Sequence, residues 1–129
     1  MTQEDKELLL KDICGRLPYG VKVILGDKPM YAWTLESVSI EKNDVIDVYI
    51  ESGNFPLEAV KPYLRPMSSM TEEEIDTMWN IWEHNSASEA ASKITDFLNG
   101  RFLDHHQLIK KGLAIEAPEG MPYKWLNNK

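Results

Sequence analysis

The chain has 129 residues, which is enough for one ordinary domain or for two small modules that share a core. Its hydrophobic content of 43% predicts a packed core rather than a disordered chain. The formal net charge is −7, and no Lys or Arg lies between Pro66 and Ser92. Nucleic acids and anionic membranes are both bound through clustered basic residues, so this composition disfavours either partner.

The chain has a single cysteine, Cys14, so an internal disulfide is excluded. Its helical spacing from Leu10 and Leu17 predicts a small buried side chain that does not react in the native state. Residues Met1–Lys6 lack the basic and apolar pattern of a secretion signal, and no apolar run approaches the length of a membrane span. We therefore expect a cytoplasmic protein.

The first half of the chain predicts one helix followed by a small antiparallel sheet. The helix begins after the capping residue Thr2 and ends at Pro18-Tyr19-Gly20, where proline interrupts the hydrogen-bond pattern. Three strands joined by short turns favour a meander, with an SH3-like sheet as an alternative. The expected strands are Val21–Leu25, a segment from Trp33 to Ile40 whose phase slip near Ser37 suggests a β-bulge, and Val45–Ile50.

The segment Phe55–Pro66 contains three prolines and is interpreted as a structured connector. Proline disfavours both a long helix and a central strand, so we expect only a single turn at Leu57–Val60. The connector divides the chain into a helix with a sheet, residues 1–61, and a helical subdomain with a tail, residues 62–129. One core shared by both parts is the alternative. The predicted fold class is α+β.

Three helix starts are predicted in the second half. Each has a capping side chain three residues before Glu or Gln: Thr71 and Glu74, Ser86 and Glu89, Asp104 and Gln107. On the first of these helices, Trp79 and Trp82 fall on one apolar face and are expected to pack in the helical core. A short edge strand from Leu113 to Ala117 and a surface tail, Gly120–Lys129, complete the pattern.

The sequence predicts no catalytic residue, no cofactor and no metal. Asp104-His105-His106 is the one cluster of ligand-type residues, but neighbours on a helix are rotated by about 100° from each other, so the two imidazoles should not share an ion. The acidic run Glu72–Glu74 with Asp76 is what the dipole of a first helical turn favours.

Four residues are candidates for binding a protein partner. Trp33 and Trp125 lie outside any clear apolar stripe, and Tyr63 and Arg65 lie in the stiffened segment Pro62–Pro66. Trp, Tyr and Arg are enriched at interface hot spots, and a stiff segment loses little entropy on binding. The alternative is structural: Tyr63 seals the two parts of the chain together and Arg65 pairs with an acidic neighbour.

Three stretches carry a resemblance to known sequences. They are Lys11–Lys22 (KDICGRLPYGVK), Pro62–Thr71 (PYLRPMSSMT) and Gly112–Met121 (GLAIEAPEGM). Together they resemble a family of small uncharacterised proteins from gut anaerobes, their phages and mobile elements. The resemblance implies an accessory protein encoded on a mobile element, and it transfers no catalytic residue.

The sequence therefore favours a non-enzymatic accessory or protein-interaction role, without indicating the oligomeric state or the partner. The first alternative is an enzyme whose site is assembled between the two parts, with His84, His105 or His106. The second is a nucleic-acid-associated SH3-like module. An exposed apolar patch with a polar rim would favour interaction, a deep pocket with perturbed pKa values would favour an enzyme, and a basic patch would favour the nucleic-acid module.

Overall fold

The computed structural model describes residues 1–26 and 28–117 and has the expected α+β architecture. The first helix, α1, spans Gln3–Arg16, and the Thr2 side chain accepts a hydrogen bond from the Asp5 N–H at 3.0 Å. Its buried residues are Leu9, Asp12, Ile13 and Arg16. The placement of Cys14 on the buried stripe is wrong. The helix turns the face that carries Leu9 and Ile13 inward, and this leaves Cys14 exposed.

Seven strands form two sheets within the described residues. A four-stranded sheet has the order β2-β1-β6-β7, and a three-stranded antiparallel sheet has the order β3-β4-β5. The strands are β1 Lys22–Leu25, β2 Lys28–Thr34, β3 Ser37–Ile40, β4 Ile46–Ile50, β5 Gly53–Pro56, β6 Val60–Leu64 and β7 Ile115–Glu116. The strands expected at 21–25 and 45–50 are thus present, and β7 is the edge strand that the alternation near Ile115 predicted.

The phase slip near Ser37 is a change of sheet rather than a β-bulge. Between β2 and β3, the N–H of Leu35 donates to the carbonyl of Val21, and the N–H of Glu36 donates to the carbonyl of Tyr49. Leu35 therefore bonds to the residue that precedes β1, whereas Glu36 bonds to β4 of the other sheet. The register irregularity lies instead in the pairing of β1 with β2, between Val23 and Leu25.

The expectation that proline excludes a central strand near residue 62 is wrong. Strand β6 contains Pro62 and lies between β1 and β7, antiparallel to the first and parallel to the second. Pro62 pairs with Val23 of β1, but β7 pairs only with Tyr63 and Leu64. The backbone of Pro62 therefore has no neighbouring strand on its other edge, where a missing N–H costs no ladder hydrogen bond.

The hydrophobic core draws residues from both sides of the expected boundary at residue 61. It runs from Leu9 and Ile13 of α1, through β1, β4 and β6, to Leu108, Leu113 and Ala117. This is the arrangement that the shared-core alternative describes.

Two of the three predicted helix starts are confirmed. Helix α2 spans Glu72–Glu83 and begins with a complete capping box, in which the Thr71 Oγ1 accepts from the Glu74 N–H and Glu74 accepts from the Thr71 N–H. Helix α3 spans Ala87–Gly100, and the Ser86 Oγ accepts from the Glu89 N–H at 3.4 Å.

The helix expected at Asp104 is absent, because residues 104–112 form a series of turns. Gln107 has a φ of 59°, which is incompatible with a right-handed helix at that position. The Asp104 carboxylate instead accepts the N–H groups of Leu108 and Ile109 at 2.8 and 3.0 Å. The capping side chain is real, but it caps a turn that starts later in the chain.

Candidate functional site: an exposed tryptophan surface and a buried polar cluster

The most exposed large aromatic side chains of the described chain lie on the helix pair α2–α3. Trp79 is 60% exposed and Trp82 is 52% exposed. Together with Met78 and Ile94 they line a groove of about 340 Å³ whose walls are apolar. We name these four residues the α2–α3 surface. The expectation that Trp79 and Trp82 pack in a helical core is wrong.

The two helices expose this face because they join the rest of the protein through other residues. Among the residues of α2, only Glu74 is buried. In the described part of the chain, neither α2 nor α3 contributes a residue to the main hydrophobic core. Amphipathic spacing predicted correctly that Trp79 and Trp82 lie on one face of α2, but spacing alone does not say whether anything covers that face.

The groove has an acidic edge. Three acidic side chains lie next to Trp79 on the surface of α2: Glu72, Asp76 and Glu83. At about 100° per residue, each is within a quarter turn of Trp79 about the helix axis, on the side opposite Met78. All three carboxylates are exposed. No ion pair joins any of them to a basic residue within the described ranges. The whole helix pair carries one basic residue, Lys93, which donates to the Asn85 Oδ1 at 2.7 Å.

Arg65 attaches α2 to the sheet. Its Nη1 and Nη2 donate to the two carboxylate oxygens of Glu74, each at 2.8 Å, and Nη2 also donates to the Ser69 carbonyl at 2.9 Å. The Arg65 N–H donates to the Phe102 carbonyl, and the Arg65 carbonyl accepts from the Asp104 N–H. The exposed fraction of Arg65 is only 2%. These contacts agree with the structural alternative, in which Arg65 pairs with an acidic neighbour.

Of the other residues proposed for partner binding, Tyr63 and Trp33 lie in strands, and neither is fully exposed. Tyr63 is buried in β6, and burial raises the pKa of its hydroxyl. Trp33 is half-buried in β2 against the core, opposite Val23. Trp125 lies outside the described residues. A partner-binding role for these four residues stays a prediction.

A buried polar cluster joins α1 to the turns that follow α3. Arg16 donates from Nε to the Asp12 Oδ1 at 2.7 Å and from Nη2 to the Asp12 Oδ2 at 3.0 Å. Its Nη2 also donates to the Leu103 carbonyl at 2.7 Å. The His106 Nδ1–H donates to the Asp12 Oδ2 at 2.8 Å. Asp12 and Arg16 are fully buried. Asp12 and Arg16 are four residues apart on one helix, and this spacing in the sequence could have predicted the ion pair.

His105 extends the cluster to α3. Its Nε2–H donates to the Asn99 Oδ1 at 2.8 Å, and its ring centroid lies 4.1 Å from that of His106. Burial, followed by the charges of His106 and Arg16, lowers the pKa of His105 to about 4. Asn99 in turn contacts α1, because a Cβ on Gly15 would lie 2.8 Å from the Asn99 Nδ2. The glycine therefore permits the close approach of α1 and α3.

His105 and His106 were expected on a helix, with their imidazoles pointing too far apart to bind one ion, and this geometric expectation is wrong. They lie in a turn, and with Asp12 they place three ligand atoms within 4.8 Å of one another. The electrostatics of the cluster oppose a cation, however. Arg16 donates to both carboxylate oxygens of Asp12, so a divalent ion would have to displace a buried guanidinium or lie beside it.

His84, the third histidine of the enzyme alternative, lies elsewhere. It is exposed at the end of α2, where its Nδ1 bonds to the Asn80 carbonyl at 2.8 Å. It is not a member of the group formed by Asp12, His105 and His106.

Comparison of the chain with protein-family models, with curated proteins and with solved structures found no match. Within the described residues, no helix combines the length and the apolar character that crossing a membrane requires.

Proposed function

We propose that this protein is a non-enzymatic accessory protein that binds a protein partner through the α2–α3 surface. The observation that carries the proposal is the exposure of Trp79 and Trp82 on one face of a helix that is capped and anchored. Apolar patches with a polar rim mark interaction sites on soluble proteins, and tryptophan is the residue type most enriched at hot spots. A cytoplasmic location and an origin on a mobile element are part of the same proposal.

The buried cluster supports a structural role for the histidines rather than catalysis. The hydrogen bonds of Asp12, Arg16 and His106 are made to one another and to the Leu103 carbonyl, and they hold α1 against the turns after α3. The nucleic-acid alternative has no support in the acidic edge of the helix pair, which would repel phosphates.

The test is a comparison of two surface variants in affinity capture from the native host, with quantitative mass spectrometry. Trp79→Ala with Trp82→Ala removes the aromatic groups of the α2–α3 surface. Ile40→Ala with Val45→Ala is the matched control, because these two apolar side chains, at the end of β3 and just before β4, are 65% and 48% exposed. Circular dichroism and urea unfolding check that both variants remain folded.

We expect the tryptophan variant to lose a partner that the control and the unaltered protein retain. A partner retained equally by the tryptophan variant would contradict the assignment of the surface. A partner lost only by the control would show that the contact lies around Ile40 and Val45, at the three-stranded sheet.

A further inference from the structure

We infer that the occupant of the α2–α3 surface is a cationic amphipathic helix of the partner protein, an inference that rests on the proposed function. The groove supplies apolar walls, and the edge of α2 supplies negative charge. A segment that complements both features carries apolar side chains on one face and Lys or Arg beside them. Such a segment is the helix-in-groove mode of peptide recognition.

Charge complementarity is the first argument. Glu72, Asp76 and Glu83 lie beside the groove without a basic partner among the described residues, whereas Arg65 already neutralises Glu74. The field at the groove edge is therefore negative. It accelerates the approach of a basic segment and disfavours an acidic one.

The shape of the groove is the second argument. Side chains of α2 line one part of the groove and Ile94 of α3 lines the other, and the volume of about 340 Å³ has room for a few apolar side chains. Met78 is a flexible side chain that adapts to the shape of an incoming group. Residues spaced by one helical turn on a partner would enter such a channel side by side.

The same charges disfavour the other occupants. In a symmetric dimer the patch would meet its own copy, which would place the acidic edges of both chains at one interface. An anionic membrane would be repelled in the same way. A basic helix is the occupant that gains from both the apolar walls and the acidic edge.

Two model peptides of about four helical turns test the inference with the full chain. Both contain Leu on one face and neither contains Trp; the polar face is Lys in one peptide and Glu in the other. Binding is followed by isothermal titration calorimetry at low and at high salt. We expect the Leu/Lys peptide to bind and the Leu/Glu peptide not to bind. Added salt should weaken the binding, because exposed charge pairs are screened.

Charge variants locate the interaction. Glu72→Gln with Asp76→Asn and Glu83→Gln should weaken the Leu/Lys peptide about tenfold, since three exposed ion pairs are lost and each stabilises a contact only modestly. Glu4→Gln with Glu36→Gln and Glu51→Gln removes the same charge from exposed positions elsewhere and should leave the affinity unchanged. Trp79→Ala with Trp82→Ala should abolish binding at every salt concentration.

The possible outcomes separate this inference from the proposed function. If both peptides bind and Trp79→Ala with Trp82→Ala abolishes both, the surface is a docking site but its partner is not selected by charge, and the inference fails alone. If neither peptide binds, the inference fails and the capture experiment decides the function.

If the tryptophan variant converts a dimer to a monomer in analytical ultracentrifugation, a second copy occupies the surface and the inference is overturned. Peptide binding that is insensitive to the tryptophan variant takes place elsewhere on the protein and overturns the inference, and the capture experiment again decides the function.

Discussion

Arg65 and Glu74 form a buried bidentate ion pair that joins strand β6 to the first turn of helix α2. Both nitrogen–oxygen distances are 2.8 Å, and Glu74 is at the same time the capping-box residue that accepts from the Thr71 N–H. One carboxylate therefore stabilises the helix start and attaches the helix to the sheet. Because α2 buries no other residue, this pair is the buried contact through which α2 is attached to the sheet.

We predict that Glu74→Gln destabilises the protein by about 3–5 kcal/mol, because it leaves the Arg65 guanidinium buried without its counter-charge. Urea unfolding gives the free energy of unfolding. The control is the double variant Arg65→Met with Glu74→Leu, which removes both charges and should cost much less. A single variant as stable as the unaltered protein would show that the pair does not anchor the helix.

Acidification should destabilise the protein in two stages. The folded-state pKa of His105 is about 4 against an ordinary value of 6.5, so between these values the unfolded chain binds the proton and stability falls with falling pH. Burial tends to raise the pKa of Glu74, but its hydrogen bond and ion pair with Arg65, together with the Thr71 N–H and the Arg101 charge, lower it to about 2. Its contribution is complete above pH 4.5 and is lost as pH falls towards 2.

The variant His105→Gln should remove the first stage and leave the second. His84→Gln is the matched control, since His84 is exposed. The measurement is the urea midpoint as a function of pH for the three proteins. Identical slopes between pH 6.5 and 4 in all three would contradict the role given to His105.

We predict that Gly15→Ala destabilises the protein, although alanine is the better helix former by about 1 kcal/mol. The new Cβ would lie 2.8 Å from the Asn99 Nδ2, and Asn99 is buried and accepts from His105. Overpacking of this kind costs about 1–3 kcal/mol. In an Asn99→Ala background the clash is absent, so the same substitution should become neutral or stabilising. A double-mutant cycle measures this coupling.

Local signals predicted local structure well. The capping residues Thr71 and Ser86 mark real helix starts, because a cap is a contact between residues three positions apart. Asp104 has the same signature but bonds the N–H groups of Leu108 and Ile109, since Gln107 has a positive φ that the sequence does not reveal.

The candidate sites depend on contacts that no local pattern contains. Trp79 and Trp82 were expected to be buried because an apolar stripe is normally covered, and only the packing of the whole chain shows that this one is open. The bond between Asp12 and His106 joins residues 94 positions apart. Pro62 was expected to exclude a central strand, and it is tolerated because β7 begins to pair one residue later.

The exposure of Cys14 predicts that a thiol reagent labels the native protein. Partial burial raises the pKa of the thiol, so labelling should be somewhat slower than in the unfolded chain, because the thiolate is the reacting form. If labelling instead required global unfolding, the native rate would be lower by orders of magnitude. Mass spectrometry over time, in native buffer and in denaturant, distinguishes the two cases. Strong protection of the thiol from labelling in native buffer would show instead that Cys14 is buried.

The last prediction concerns metal binding at the buried cluster. Asp12, His105 and His106 place three ligand atoms within 4.8 Å of one another, but the guanidinium of Arg16 already donates to both Asp12 oxygens. A divalent ion would bring two further positive charges into a buried site whose only carboxylate is neutralised, and desolvation magnifies that repulsion. We therefore expect less than stoichiometric zinc in protein purified without an affinity tag. Measurement is by inductively coupled plasma mass spectrometry after dialysis against zinc. Stoichiometric zinc that His106→Gln removes, with the exposed His84→Gln as the control that retains it, would contradict this prediction and establish a metal site at the cluster.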